Sequence, residues 1–379
     1  MTIQSELAGR PKRSALPILT SLRFFAALEV VVFHISIGSS SAAIPEGVFR
    51  NLASGGYAAV SFFFVLSGFV LTYAHAGPIE REGCNVEARR FWLLRFARLA
   101  PAYYLGLLLA APIVIAYVAS HAPAPTAFIA PLLVVVFLQA WWSPLALTWN
   151  FPAWSLSVEC LFYALFPWLA RVSARWPRTV LFVACYVLVV AATAYRADFL
   201  SLPGKFPEDR MDLYFQAYFP LPYLPLFVFG MALGRQYLFG RRLAPLTHAA
   251  MLWAGVVLTV LAFAGKSVLP WWTHSDAVLC PAFALMIFGG AGATVGVPLL
   301  ASAAMVLLGE ASYAMYILHV PIRFWSELLL AVAGVDPPPR LYVALHITTV
   351  VVVSILVFRY VETPLRRWIA RPPAAAPGN

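Results

Sequence analysis

Arg23 and His34 stand eleven residues apart in a largely apolar stretch near the start of the chain. At about 100° per residue that spacing returns to within about 20° of one helical face, with roughly 16 Å of rise between the two. Ionisable groups inside an apolar run are costly and so are functional candidates by default, and a neutral imidazole is an acid–base group matched to pH 7. Alone the pair equally fits an arginine that snorkels to the headgroups and a hydrogen-bonded interior histidine. A second group lies in ARRFWLLRFARLAPAYY, where Arg95 and Arg98 are one turn apart and Arg89 and Arg90 flank them. Such a patch can receive several phosphate oxygens in forked geometry, as a nucleotide cofactor requires; marking topology would need only charge. In WSLSVECLFY (154–163), Ser155 and Glu159 share a face, with Tyr163 continuing it. A carboxylate at a helix start also serves as a plain cap. In GEASYAMYILHVP (309–321), Ser312, Tyr316 and His319 form a polar stripe at offsets of zero, four and seven, which must face protein or water.

These residues need elements to position them. Of 379 residues, 62% are hydrophobic and 11% charged, against about a quarter charged in a soluble domain. Apolar stretches of about 20 residues, the length of a helical membrane crossing, recur from 17 to 360 and leave no interval for a soluble domain. Their apolarity is continuous, which argues against barrel strands. The expected fold is therefore all-α, a polytopic transmembrane bundle of about ten spans. They lie near 17–38, 56–76, 99–119, 153–170, 179–195, 216–234, 249–265, 277–293, 311–333 and 341–360. The segment 127–142 is short for a crossing, and counting it would turn every later basic cluster outward. It is expected to be re-entrant or to lie on the outer side, an eleven-span bundle being the alternative.

The formal charge of +10 is dispersed in short clusters between apolar runs, with no single basic face for nucleic acid. By the positive-inside rule those clusters assign residues 1–16 to a cytoplasmic segment, 17–360 to a membrane domain and 361–379 to a cytoplasmic tail. The polar loop 196–215, with Lys205, Glu208, Asp209, Arg210 and Asp212, falls outside. A multi-pass protein of the inner membrane is expected, with a retained first helix. Cys84, Cys160, Cys185 and Cys280 are too scattered for a zinc site or disulfide framework and are read as packing residues. GGAGATVG (289–296) lacks the strand and lysine of a phosphate loop and is read as close helix packing. Glu362, in VETPLRRW, is read as a structural anchor at the inner surface.

Taken together, these residues resemble the membrane acyltransferase-3 family, integral-membrane O-acyltransferases that modify bacterial polysaccharides, lipid-linked sugars and macrolides. The resemblance runs from Arg23 to Trp368 and rests on Arg23 with His34, FFFVLSGFVLTY at 62–73, Arg95 with Arg98, WSLSVE at 154–159, SYAMYILH at 312–319 and VETPLRRW. Where the family has an aromatic residue after SVE, Cys160 stands here. The resemblance implies that His34 is catalytic, that Arg23 supports it, and that Arg95 and Arg98 bind or position the acyl donor. Some members carry an added extracytoplasmic esterase-like domain; this chain, ending at Asn379, is expected to complete transfer within the membrane unit.

The residue types suit that chemistry. A hydroxyl attacks a thioester poorly unless a base takes its proton, a step typically worth about 10²–10⁴ in rate. Catalytic roles are thus expected for His34, Arg23 and Glu159, donor binding for Arg95, Arg98, Arg89 and Arg90, and acceptor binding for Ser312, Tyr316 and His319. The expected donor is acetyl-CoA, used as a substrate, with no metal and no permanently bound cofactor. The expected acceptor is a saccharide, lipid-linked sugar or macrolide-like hydroxyl, met among membrane lipids and without nucleic acid. The competing class is a proton-coupled transporter, which also places Arg, His and Glu within a bundle but expects interrupted helices in matched halves. No internal duplication is visible.

Overall fold

The computed structural model describes residues 13–38, 41–77, 87–121, 124–201 and 210–371. Its helices are α1 (Pro17–Ser36), α2 (Val48–Ala53), α3 (Gly56–His75), α4 (Ala88–His121), α5 (Ala124–Val135), α6 (Trp154–Ser173), α7 (Arg178–Tyr195), α8 (Ala197–Ser201) and α9 (Met211–Tyr218). They continue as α10 (Leu224–Phe239), α11 (Pro245–Ala264), α12 (Asp276–Gly292), α13 (Ala303–Ala333), α14 (Pro339–Val357) and α15 (Thr363–Ile369), with no β-strand among the described residues. Among the described residues ten helical runs are long and apolar enough to cross a membrane, and each overlaps one of the ten expected spans.

Side-chain contacts fix the relative direction of these runs. The Trp92 indole donates to Tyr163 O at 3.0 Å and the Trp149 indole to Leu107 O at 2.9 Å, so α4 and α6 are antiparallel. Had 127–142 crossed the bundle, the two would run parallel. Instead α5 folds back along α4, where Tyr103 OH donates to Val134 O at 2.5 Å and Tyr104 OH to Val135 O at 3.0 Å. Gln139 then donates to Ala153 O at 2.8 Å, fastening the return limb. The connection from α5 to α6 carries two non-glycine residues in left-handed backbone, Phe137 (φ 61°) and Trp149 (φ 72°), a conformation that persists only where surroundings impose it. Phe137 is held by stacking on Tyr103 at 4.0 Å. In consequence α6 starts at the level of Leu107, roughly 20 Å short of the end of α4 by the helical rise. Ser155 and Glu159 thereby enter the interior of the bundle.

Small residues bring the helices together, as association in lipid favours. At the crossing of α3 and α10, a Cβ on Gly68 would strike Phe227 O and one on Gly230 would strike Val65 O. Gly309 meets Thr20 O in the same way, and with Arg323 donating to His34 O at 3.0 Å this makes α13 parallel to α1, as the first and ninth of ten crossings must be. Gly289 abuts His248 O and Leu252 N, so the glycine-rich segment packs α12 on α11.

Two regions differ from the expectation. Residues 196–215 are not simply a polar loop: α8 and α9 form there because Leu213, Gln216 and Ala217 bury one face, and Arg196 is itself buried. Arg210 and Asp212 form a surface ion pair at 2.7 Å, while Lys205, Glu208, Asp209 and Cys84 lie outside the described residues. At the other end, α14 passes through a π-helical turn, Phe358–Glu362, into α15, so residues 361–369 extend the last helical run. Glu362 is not a surface anchor; it is 2% exposed, because the wide π turn aims its side chain at α4. Residues 1–12 and 372–379 lie outside the described residues.

Candidate active site

The expected site residues gather at two levels of the bundle. The first is a cavity of about 140 Å³ between α1, α3, α4, α6 and α13, lined by Arg23, Arg95, Arg98, Glu159, Ser312 and Tyr316 among others. Arg98 Nη1 lies 2.5 Å from Glu362 Oε2, and its guanidinium covers the Tyr313 ring with 5.0 Å to the centroid. The Tyr163 hydroxyl donates to Glu159 Oε1, and Arg95 sits over Tyr163 at 5.9 Å. Three guanidiniums therefore face two carboxylates, leaving one positive charge in excess when all five are ionised. Arg23 makes no hydrogen bond or ion pair among the described residues, and Arg95 Nε is a buried donor without a partner. Unspent donors of this kind, lining a cavity, are receptors for an anion.

Ser312 and Tyr316 are part of this cavity but their hydroxyls are engaged. Ser312 Oγ donates to Gly309 O at 2.7 Å, and Tyr316 OH pairs with Ser155 Oγ at 2.7 Å and with Pro152 O at 3.1 Å. They shape the wall and tie α13 to the head of α6. Arg89 is exposed and Arg90 half-buried, and neither lines the cavity: on a helix, residues 89 and 90 point away from the face that carries 95 and 98. The cavity is smaller than the ~300–1,000 Å³ typical of a site for a drug-sized ligand, so it has room for a segment of a large donor.

The second level lies further along α1 and α13. His34 Nδ1 is 2.8 Å from Val30 O and 3.2 Å from His319 Nε2, and the two rings stand 4.9 Å apart. Arg23 and His34 thus share a helix, as their spacing suggests, but not a cavity. The α13 stripe divides in the same way, with Ser312 and Tyr316 at the first level and His319 at the second. Sequence reasoning took Glu362 for an anchor and passed over Arg323 and His346. Arg323 pairs with Glu327 at 2.9 Å, and His346 is buried on α14 with Nδ1 unpartnered. The cost of an ionisable group inside an apolar run was the signal available for all three. Among the described residues no cluster of side chains suited to a metal ion occurs.

Comparison with known proteins gives the class of enzyme. Residues 17–359 match the family model described as an acyltransferase domain, acyltransferase family 3. The acyltransferase MdmB of Streptomyces mycarofaciens is 30% identical over 334 residues, 84% of this chain and 82% of that protein. The peptidoglycan O-acetyltransferase OatA of Listeria monocytogenes is 24% identical over 388 residues, which cover 94% of this chain and 57% of the relative. The chain thus spans little more than half the length of that second protein. No solved structure matches it significantly. An acyltransferase match over nearly the whole chain displaces the transporter reading: the chain belongs to the membrane acyltransferase-3 family and is a multi-pass membrane O-acyltransferase.

Proposed function

We propose that the protein transfers acetyl from acetyl-CoA to a hydroxyl of a carbohydrate or macrolide-like acceptor, with His34 as general base. The observation that carries this reading is the cavity lined by Arg23, Arg95 and Arg98, with Arg95 Nε a buried donor without a partner, set roughly 16 Å along α1 from His34. The basic ends of α4 and α15 face the cytoplasm in this reading, with residues 1–16 and the end of the chain on that side and the membrane domain between. The donor enters there, where its phosphates meet the arginines. Its thioester arm then extends along α1 toward His34. Glu159, held by Tyr163, lines the same cavity and offsets part of its positive charge without neutralising the whole.

The chemistry balances without further reagents. His34 Nδ1 faces the Val30 carbonyl, which can only accept, so Nδ1 carries hydrogen and Nε2 carries the lone pair. Nε2 takes the acceptor's hydroxyl proton as the oxygen attacks the thioester carbonyl. The tetrahedral intermediate then expels thiolate, which receives that proton from His34. The name of the Listeria relative specifies peptidoglycan and O-acetyl transfer, which supports acetyl as the group and a carbohydrate as the acceptor class. The test is consumption of acetyl-CoA by detergent-purified protein with a panel of saccharide and macrolide acceptors. His34→Ala is expected to lower turnover by about 10²–10⁴-fold while retaining the wild-type melting profile. Wild-type turnover by folded His34→Ala would overturn the assignment.

A further inference from the structure

We infer that His319 is a positioning residue for His34: it fixes which nitrogen of His34 acts as base and shares the charge that forms when that nitrogen takes a proton. This rests on the reading of His34 as the base. The α13 stripe suggested substrate contact for His319, but the side chain is 1% exposed and does not line the cavity that holds Arg23, Arg95 and Arg98. Any effect it has on the reaction passes through its neighbours.

The hydrogen-bond pattern defines that effect. His319 Nδ1 lies 3.3 Å from Met315 O, so Nδ1 carries its hydrogen and Nε2 is left as an acceptor. That Nε2 stands 3.2 Å from His34 Nδ1. The single hydrogen on His34 Nδ1 is therefore shared between Val30 O and His319 Nε2, and both acceptors hold the ring in one tautomer. When His34 Nε2 takes a proton, the ring becomes cationic and the contact to His319 becomes charge-assisted, stronger than in the neutral ground state. An interaction that strengthens as charge develops lowers the barrier. The role is that of the third group that orients a base in nucleophile–base–orienter arrangements, filled here by a neutral ring. A carboxylate in the same buried position would carry a far larger desolvation cost.

The surroundings keep the dyad in place. Arg323, on the turn after His319, donates to His34 O at 3.0 Å and pairs with Glu327, so it anchors the α1 backbone while its charge is balanced. From α14, His346 faces the same region with its ring stacked on Tyr342 at 6.0 Å. Phe33 meets the His34 ring edge-on at 5.3 Å.

The test compares His319→Leu, which keeps bulk but cannot accept a hydrogen bond, with His319→Gln, whose amide oxygen can. In acetyl transfer, His319→Leu is expected to lower kcat about 10–100-fold, the range for a hydrogen bond to a charged group, with KM for donor and acceptor within about 2-fold of wild type. His319→Gln is expected to recover most of that loss. Should His319→Leu fail to fold, His319→Asn, whose shorter amide falls short of His34, takes its place with the same expectation. Wild-type kcat in the Leu or Asn variant, beside an inactive His34→Ala, would overturn the inference and leave the base assignment standing. A raised KM with unchanged kcat would return His319 to substrate binding, and full activity in His34→Ala would overturn both readings.

Discussion

Arg98 and Arg196 each meet a carboxylate at 2.5 Å inside the bundle, Arg98 with Glu362 and Arg196 with Asp276. Around Arg196 every guanidinium nitrogen is used: Nε donates to Gln216 O at 3.0 Å, Nη1 to Asp276, and Nη2 to Tyr223 OH at 2.8 Å. What remains there is an acceptor, Asp276 Oδ1. Around Arg98 an acceptor, Glu362 Oε1, is likewise left over, but so is a donor, Arg95 Nε, which with Arg23 borders a cavity. A buried ion pair alone is weak evidence of either stability or function. The difference teaches that the unspent groups beside it decide which role it has: satisfied donors join helices, and surplus donors around a space await an anion.

Replacing each pair by apolar residues should separate the two roles most strongly. Arg98→Met with Glu362→Leu is expected to fold, since such replacements are often neutral, but to weaken acetyl-CoA binding by about 100-fold or more. Arg196→Met with Asp276→Leu is expected to fold and to retain acyl transfer within about 3-fold. Equal loss of donor affinity in both double variants, read by calorimetry, would erase the distinction. The single change Arg196→Met leaves Asp276 unpaired and is expected to destabilise by about 3–5 kcal/mol, visible as a lowered melting temperature in detergent.

Smaller effects sharpen the map of the cavity. Arg23→Lys and Arg95→Lys keep charge but lose the planar fork, and each is expected to weaken donor binding about 10-fold. Tyr163→Phe removes the hydroxyl that holds Glu159, and should lower turnover by about 3–10-fold with little change in stability. The least effect is expected from Arg89→Ala and Arg90→Ala, within about 2-fold at physiological salt, where exposed charges are screened. A tenfold loss of affinity in either would move the donor's phosphates out to the surface of α4.

Much of this was legible in the sequence because hydrophobic length is a local property. Each crossing could be placed from its own residues, and the exclusion of 127–142 as a crossing from its shortness and the basic clusters beyond it. Partnerships between distant helices were not legible. Arg98 and Glu362 are 264 positions apart, and Arg196 and Asp276 are 80 apart; no periodicity within either helix names its partner. The spacing of Arg23 and His34 gave their shared helix, but the division into two levels follows from what α13 presents opposite each. Glu362 reads as a surface charge until the π turn is known, since that turn, not composition, carries it inward.

The central claim is that donor recognition and proton transfer occupy opposite ends of α1. Calorimetric binding of acetyl-CoA beside turnover, measured on the same preparations of His34→Ala and of Arg98→Met with Glu362→Leu, tests it directly. The account predicts that His34→Ala binds the donor with wild-type affinity and does not turn it over, while the double variant fails to bind. Loss of binding in His34→Ala, with wild-type binding in the double variant, would contradict it.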